Sequence, residues 1–306
     1  MRAPTSTNGP LSAAPQGAAD FFLLYFSVFH VKHIFTFPPN RRIIPMIKKE
    51  VCGLGTIIGI VNQKGGVGKT TTAVNLTAAL HRRGKKVLLC DFDPQANATS
   101  GLGVEKDRTP ASSYDVVING RPAVEAVIHT QIGDVIPSSP ALSGAGVELI
   151  AIPNREFCLQ AALEPLKAQY DYIFIDCPPS LELLTLNALC AAESILVPVQ
   201  CEYYALEGLS DLMTTLRAVK RGLNPTLSIF GVLLTMFDGR TNFSAQVAEE
   251  VRRHFPGKVF AAMIPRNVRL AEAPSHGLPV FAYDKYSRGA AAYELLADEI
   301  IQKEVL

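Results

Sequence analysis

The run Lys64-Gly65-Gly66-Val67-Gly68-Lys69-Thr70-Thr71 leaves this chain few folds to choose from. It follows the apolar stretch Ile57-Ile58-Gly59-Ile60-Val61 and precedes the helical pattern Thr72 to Leu80, so it reads as strand, glycine loop, helix N-terminus. That is the context a phosphate-binding loop needs. Gly65, Gly66 and Gly68 can take backbone angles closed to other residues and turn successive N–H groups inward around a phosphate chain. The unpaired N–H groups and partial positive charge of the next helix face the same point. Lys69 then reaches the β- and γ-phosphates, and the Thr70 hydroxyl suits the oxygen shell of Mg²⁺.

Length and composition agree with a globular nucleotide-binding domain. The chain has 306 residues, 48% hydrophobic and 19% charged, and about 250 residues is ordinary for one α/β domain. A net charge of +1 provides no global field for nucleic acid, but the distribution is uneven. Residues 1–55 carry six Lys/Arg against two Asp/Glu, leaving 23 against 26 in the remainder, where residues 205–288 still hold 11 basic and 7 acidic side chains. The six cysteines form no C-x-x-C pair and sit mostly in apolar runs, the pattern of reduced, buried thiols in a cytoplasmic protein. No apolar run approaches the roughly 18 residues that cross a bilayer.

From Ile57 onward strands and helices alternate. Strands are predicted at 57–61, 87–90, 134–136, 172–176, 195–199 and 229–234, and helices at 151–169, 205–221 and 242–254. Continuous apolar strands between helices predict an α/β fold: one doubly wound, mostly parallel sheet with helices on both faces. With no repeat and no linker after residue 55, residues 56–306 read as one domain built around the phosphate-binding loop.

Two strand ends carry carboxylates. Asp176 closes Tyr172–Asp176 and is followed by Cys177-Pro178-Pro179-Ser180, which stops the strand sharply. Ligands of open α/β sheets bind beyond the carboxyl ends of the strands, so Asp176 and the glycine loop are expected to share one crevice, with Asp176 holding the metal or a water bound to it. Asp91 and Asp93 end the strand after the loop's helix. Asp93, one step further out, is the better placed to orient or deprotonate a water at the γ-phosphate; turn formation by Asp-Pro is the alternative. Lys64 has no evident task within one subunit, since Lys69 already supplies the loop's lysine.

Together, K-G-G-V-G-K-T-T, D-F-D-P-Q, I-D-C-P-P-S, Q-C-E-Y-Y-A-L-E-G-L, L-L-T-M-F-D-G-R-T-N and I-P-R-N-V-R-L-A-E-A-P-S-H-G resemble the ParA/Soj chromosome-partition ATPases of the ParA/MinD class, from about Ile57 to Leu306. The resemblance implies an ATP- and Mg²⁺-dependent ATPase that forms a homodimer on ATP, with Lys64 reaching the partner's phosphates, much as an arginine finger acts in trans. It implies Thr70 as the Mg²⁺ ligand, Asp93 as the residue activating water, Asp176 at the start of a second switch, and Pro265 and Asn267 against the adenine. It further implies non-specific binding of double-stranded DNA through Arg240 and Arg269, a nucleoid-associated cytoplasmic location, and a ParB-like centromere-binding partner that stimulates hydrolysis. Lys220, Arg221, Arg252, Arg253 and Arg266 would widen the basic patch or simply face solvent. Ala96 stands where the family has Gly in D-P-Q-G-N, which predicts a stiffer or shifted first switch and an altered hydrolysis rate.

Residues 1–55 are set apart as a disordered or mistranslated N-terminal extension. The codons for Val28 to His33 can spell the palindrome TGTTTCACGTGAAACA in frame, which resembles the centromere-like site of bacterial partition systems. Residues 1–45 then read as translated upstream DNA, with Met46 as the native start; a genuine disordered tail is the alternative. A membrane-bound relative of the MinD type would need a basic amphipathic C-terminal helix, whereas the polar residues beside Tyr293, Leu296, Ile300 and Ile301 are mainly Glu294, Asp298, Glu299 and Glu304. No stable membrane association is expected, and that helix should pack on the sheet. An iron–sulfur reductase would need a second cysteine placed to share a cluster with Cys177, and none is suitably spaced. Residues 1–55 hold no helix-turn-helix pattern for operator reading.

Overall fold

The computed structural model describes residues 54–202 and 205–305. The readings of residues 1–45 and of Met46 lie outside these residues, as do Tyr203 and Tyr204.

In chain order the elements are β1 (Thr56–Ile60), α1 (Lys69–His81), β2 (Val87–Asp91), α2 (Asn97–Gly101), α3 (Ser113–Val117), β3 (Asp134–Ile136), α4 (Leu142–Glu148), α5 (Cys158–Leu163), β4 (Tyr172–Asp176), α6 (Leu183–Ala191), β5 (Ser194–Gln200), α7 (Ala205–Gly222), β6 (Ser228–Thr235), α8 (Asn242–His254), α9 (Val268–Glu272), α10 (Val280–Tyr283) and α11 (Arg288–Val305). The six strands form one sheet in the order β3-β2-β4-β1-β5-β6, and every pair is parallel.

Alternate residues of each strand enter different cores, as the pleat dictates. Ile57, Ile173, Ile175, Ile195 and Val197 pack with α3 to α8 on one face. Ile58, Ile60, Phe174, Leu196 and Leu233 pack with α1, α10 and α11 on the other. Both faces are therefore covered, which is why the strands read as unbroken apolar runs. Helix α11 lies against α1: Tyr293, Leu296 and Ile300 are fully buried, and the Tyr293 and Thr72 hydroxyls meet at 3.1 Å. Arg83 fastens the pair from outside, 2.7 Å from Glu294 and 2.6 Å from Asp298. The face of α11 that carries Tyr293, Leu296 and Ile300 is thus spent on the core. No described helix is long and apolar enough to cross a membrane.

One predicted element differs. The helix expected over 151–169 is broken into 3-10 turns at 155–157 and 164–168 around the short α5. Pro153 and Pro165 each remove a backbone donor, and Asn154 takes φ 55, so the apolar periodicity persists without a continuous hydrogen-bond ladder. Among the contacts that set strand geometry, Gly231 in β6 faces the Phe260 ring, where an added Cβ would stand 2.3 Å from it. The residue is glycine because an aromatic ring lies flat against that strand.

Candidate nucleotide site

The sheet order assembles the site. β1 lies between β4 and β5, and β4 lies between β1 and β2, with Asp176 in register with both Ile60 and Asp91. The connection from β1 to β2 must therefore pass over β4. It begins as the glycine loop at the carboxyl end of β1, with Gly66 at φ 73 and Gly68 at φ 89, the latter forming the N-cap of α1. These are left-handed conformations that a side chain would strain. Three hydrogen bonds hold the loop, two of them long-range. The Asn62 amide donates to the Pro198 carbonyl at 2.8 Å, the Lys64 N–H donates to Asn62 Oδ1 at 3.0 Å, and the Thr235 hydroxyl donates to the Val67 carbonyl at 2.8 Å. Thr71 completes the entry to α1, its carbonyl accepting from Asn75.

Lys69 is 6% exposed and lies across the loop, Nζ donating to the Lys64 carbonyl at 3.2 Å. Burial pulls its ammonium below the usual value, while Asp176, Cys177 and Asp93 hold it up. Asp176 is completely buried, and neither carboxylate oxygen has a hydrogen-bond partner among the described residues. Burial, and then the charge of Asp91, push it well above the usual carboxylate range, with the nearby Thr70 hydroxyl and Lys69 opposing. An orphaned buried carboxylate beside a hydroxyl is costly unless something cationic joins it. The pair fits Mg²⁺, a hard cation that takes oxygen ligands, with Thr70 and Asp176 as the residues that would hold it. Held there, the ion would supply charge neutralisation to a triphosphate.

Asp91 and Asp93 separate into two roles. The Asp91 carboxylate is occupied, accepting from the Thr99 N–H at 2.7 Å and the Thr99 hydroxyl at 2.6 Å, so it fastens α2 to the strand end. Thr99 passes the tie on by accepting from the Ser138 N–H at 2.9 Å. Burial nevertheless raises Asp91 to about 6. Asp93, 8% exposed, accepts only the N–H of Gln95 at 2.9 Å among the bonds found, which leaves lone pairs for a water. Ala96 does take the left-handed conformation, φ 52 and ψ 37, while completely buried. An L-residue held in that region is strained, by roughly 1–2 kcal/mol.

Lys64 does have a task within one subunit. Its ammonium lies 3.5 Å from Glu202, which also faces Arg266 at 3.6 Å and accepts from the Gln200 amide. Pro265 and Asn267 line a cavity of about 340 Å³ that opens beside Gly68, Thr71, Thr235 and Met236. Asn267 Oδ1 caps α9 by accepting from the Arg269 N–H at 2.8 Å. Arg240 and Arg269 lie outside the crevice, on the segments following β6 and within α9. Of the other basic residues, Arg253 is paired with Glu250 at 2.9 Å and Arg252 reaches Met263. The sequence assigns no role to Asn62, Thr99, Glu202 or Thr235, although Glu202 and Thr235 fall within its quoted motifs. Their partners lie mostly tens to more than a hundred residues away, so no local spacing signals them.

A parallel sheet with a phosphate loop after its first strand, a buried carboxylate at the neighbouring strand end and a base-sized cavity alongside defines a P-loop ATPase. A family model described as an AAA domain matches residues 55–229. The chain is 54% identical over 253 residues to the chromosome partitioning protein ParA of Myxococcus xanthus, covering 82% of this chain and 89% of that one. It is 56% identical over 249 residues to the sporulation initiation inhibitor protein Soj of Bacillus subtilis, covering 81% and 98%. Among solved structures it is similar to cobyrinic acid a,c-diamide synthase of Mycobacterium smegmatis with bound ATP analog and magnesium, at TM-score 0.72 and 35% identity, covering 82% and 96%. The chain belongs to the ParA/Soj family of chromosome-partitioning ATPases.

Proposed function

We propose that this protein hydrolyses ATP with Mg²⁺ as the timer of a partition cycle: ATP binding pairs two subunits, the pair holds nucleoid DNA without sequence preference, and hydrolysis releases it. The observation that carries the reading is the orphaned Asp176 carboxylate facing Thr70 and Lys69 at the mouth of the phosphate loop. A buried charge without a partner is the mark of a site completed by its ligand. In this reading Lys64 exchanges Glu202 for the phosphates of the partner subunit, and since the pair with Glu202 is part-exposed, that exchange costs little. Asp93 orients the attacking water, and Pro265 and Asn267 hold the adenine. Arg240 and Arg269 contact DNA phosphates. Sparse phosphate contacts bind weakly and are sensitive to salt, and presenting two such faces in one dimer multiplies their effect. The trigger for hydrolysis is a ParB-like centromere-binding protein, and the working location is the nucleoid.

The test is retention on non-specific duplex DNA, with ATP turnover measured in parallel, for wild type, Asp93→Ala and Arg240→Glu with ATP, with ADP and without nucleotide. Wild type should be retained with ATP alone, Asp93→Ala should be retained but turn over at least about tenfold more slowly, and Arg240→Glu should turn over ATP without holding DNA. Retention independent of ATP, or undiminished in Arg240→Glu, removes the DNA-tethered dimer.

A further inference from the structure

Both arginines assigned to DNA are already held by carboxylates of their own chain. The Arg240 side chain is 88% exposed, yet its guanidinium meets Asp238 as a fork, Nε donating to Oδ1 at 2.9 Å and a terminal nitrogen to Oδ2 at 2.7 Å. Asp238 is fixed in turn, since Oδ1 also accepts the Arg240 N–H at 3.1 Å in the turn that leads into α8. Hydrogen bonds from Arg240 hold the Asp238 carboxyl down at about 2. Arg269 donates to Glu272 at 2.8 Å and faces Asp284 at 3.3 Å, and Glu272 also takes the Tyr283 hydroxyl at 3.1 Å.

A phosphate offers guanidinium the same two-oxygen geometry as a carboxylate. Contact with DNA at these positions is therefore an exchange of one anion for another, and the displaced carboxylate stays behind beside the phosphate as a like charge. We propose that Asp238, and at the second position Glu272, are built-in competitors for DNA phosphate. They weaken the hold of a lone subunit on DNA, so that retention leans more on pairing two subunits. The proposal rests on reading Arg240 and Arg269 as DNA contacts. Exposed ion pairs are weak, so each exchange lowers affinity by about threefold, and two subunits acting together bring this to about tenfold. The exchange also alters salt dependence. An arginine free beforehand contributes a slope of about 0.9 per phosphate in log affinity against log salt, whereas one leaving a carboxylate behind contributes less, because that carboxylate regains a cation.

Asp238→Asn tests this with little disturbance, because the amide oxygen can still accept the Arg240 N–H. Retention of the full chain on non-specific duplex is measured across a salt series, with ATP and with ADP, for wild type, Asp238→Asn, Glu272→Gln and Arg240→Glu. The expected result is about tenfold tighter retention of Asp238→Asn with ATP, measurable retention with ADP, and a steeper salt slope. Glu272→Gln should move the same way and carries the test by itself if Asp238→Asn does not fold. Unchanged or weaker retention in the neutralised variants, with Arg240→Glu still releasing DNA, overturns the competitor role and makes these carboxylates positioning groups. If Arg240→Glu holds DNA as wild type does, the DNA assignment itself has failed.

Discussion

The crevice at the carboxyl end of the sheet and the arginine-bearing face beside it treat charge in opposite ways. In the crevice, the buried Asp176 carboxylate has no hydrogen-bond partner among the described residues and only Lys69 as a nearby cation, and the buried Asp91 is raised although Thr99 donates to it. On the outer face, Arg240, Arg253 and Arg269 are exposed, yet each is matched to a carboxylate. Water could screen the outer charges but cannot reach the inner ones. The uncompensated charge thus sits where its energy is largest, and a cationic ligand gains most by arriving there. The paired charges sit where exchange is cheap, which suits reversible contact with a polyanion.

Replacing the inner charge gives the largest expected effect. Asp176→Asn should raise the stability of the nucleotide-free protein by about 1–3 kcal/mol, because a buried amide is less costly than a buried carboxylate, while lowering ATP turnover on the order of 100-fold. Thermal unfolding and steady-state turnover read the two halves, and a loss of stability would mean that the carboxylate is satisfied after all.

Titration sharpens the contrast next. Asp91 stands at about 6 in the folded chain against a usual 3.8, and Asp176 is shifted in the same direction. A carboxyl raised by folding binds its proton more tightly in the native state. Its stabilising contribution is complete below about 3.8 and is lost as pH rises through about 6. The nucleotide-free protein should therefore gain stability, by about 1 kcal/mol or more, as pH is lowered from 7 toward 5. The paired outer acids do not obscure this, because Asp238, Glu272 and Asp298 are held below their usual values by arginine and lose their contribution only in more acidic solution. Denaturant unfolding at several pH values, with and without ATP and Mg²⁺, checks it. Ligand should flatten the dependence, and a flat curve without ligand would remove the claim of bare buried charge.

The smallest expected effect concerns strain in the same crevice. Ala96→Gly should relieve the left-handed backbone, and after the greater freedom glycine gives the unfolded chain, a net gain of about 0.5 kcal/mol should remain in equilibrium unfolding. A net loss would show that the Ala96 methyl is worth more in packing than its backbone costs.

The extent of what could be read from the sequence follows from range. The phosphate loop, all six strands, the covered sheet and the crevice position of Asp176 come from local pattern: glycines at fixed spacing, apolar runs of strand length, and a carboxylate at a strand end. The helix expected at 151–169 failed because periodicity reports which side is buried, and says nothing about backbone donors removed by Pro153 and Pro165. That Asp93 stands further out than Asp91 was legible, whereas the tie that occupies Asp91 was not, since it depends on Thr99 turning back onto the strand end.

The sequence by itself determined the glycine loop between β1 and α1, because backbone conformation over eight residues is a local property of glycine and of a helix start. Only the tertiary structure decided which charges are bare and which are matched. Pairing is a matter of distance between side chains. It brings Lys64 to Glu202 and Arg269 to Asp284, and it leaves the Asp176 carboxylate between Ile60 and Asp91 without a hydrogen-bond partner among the described residues.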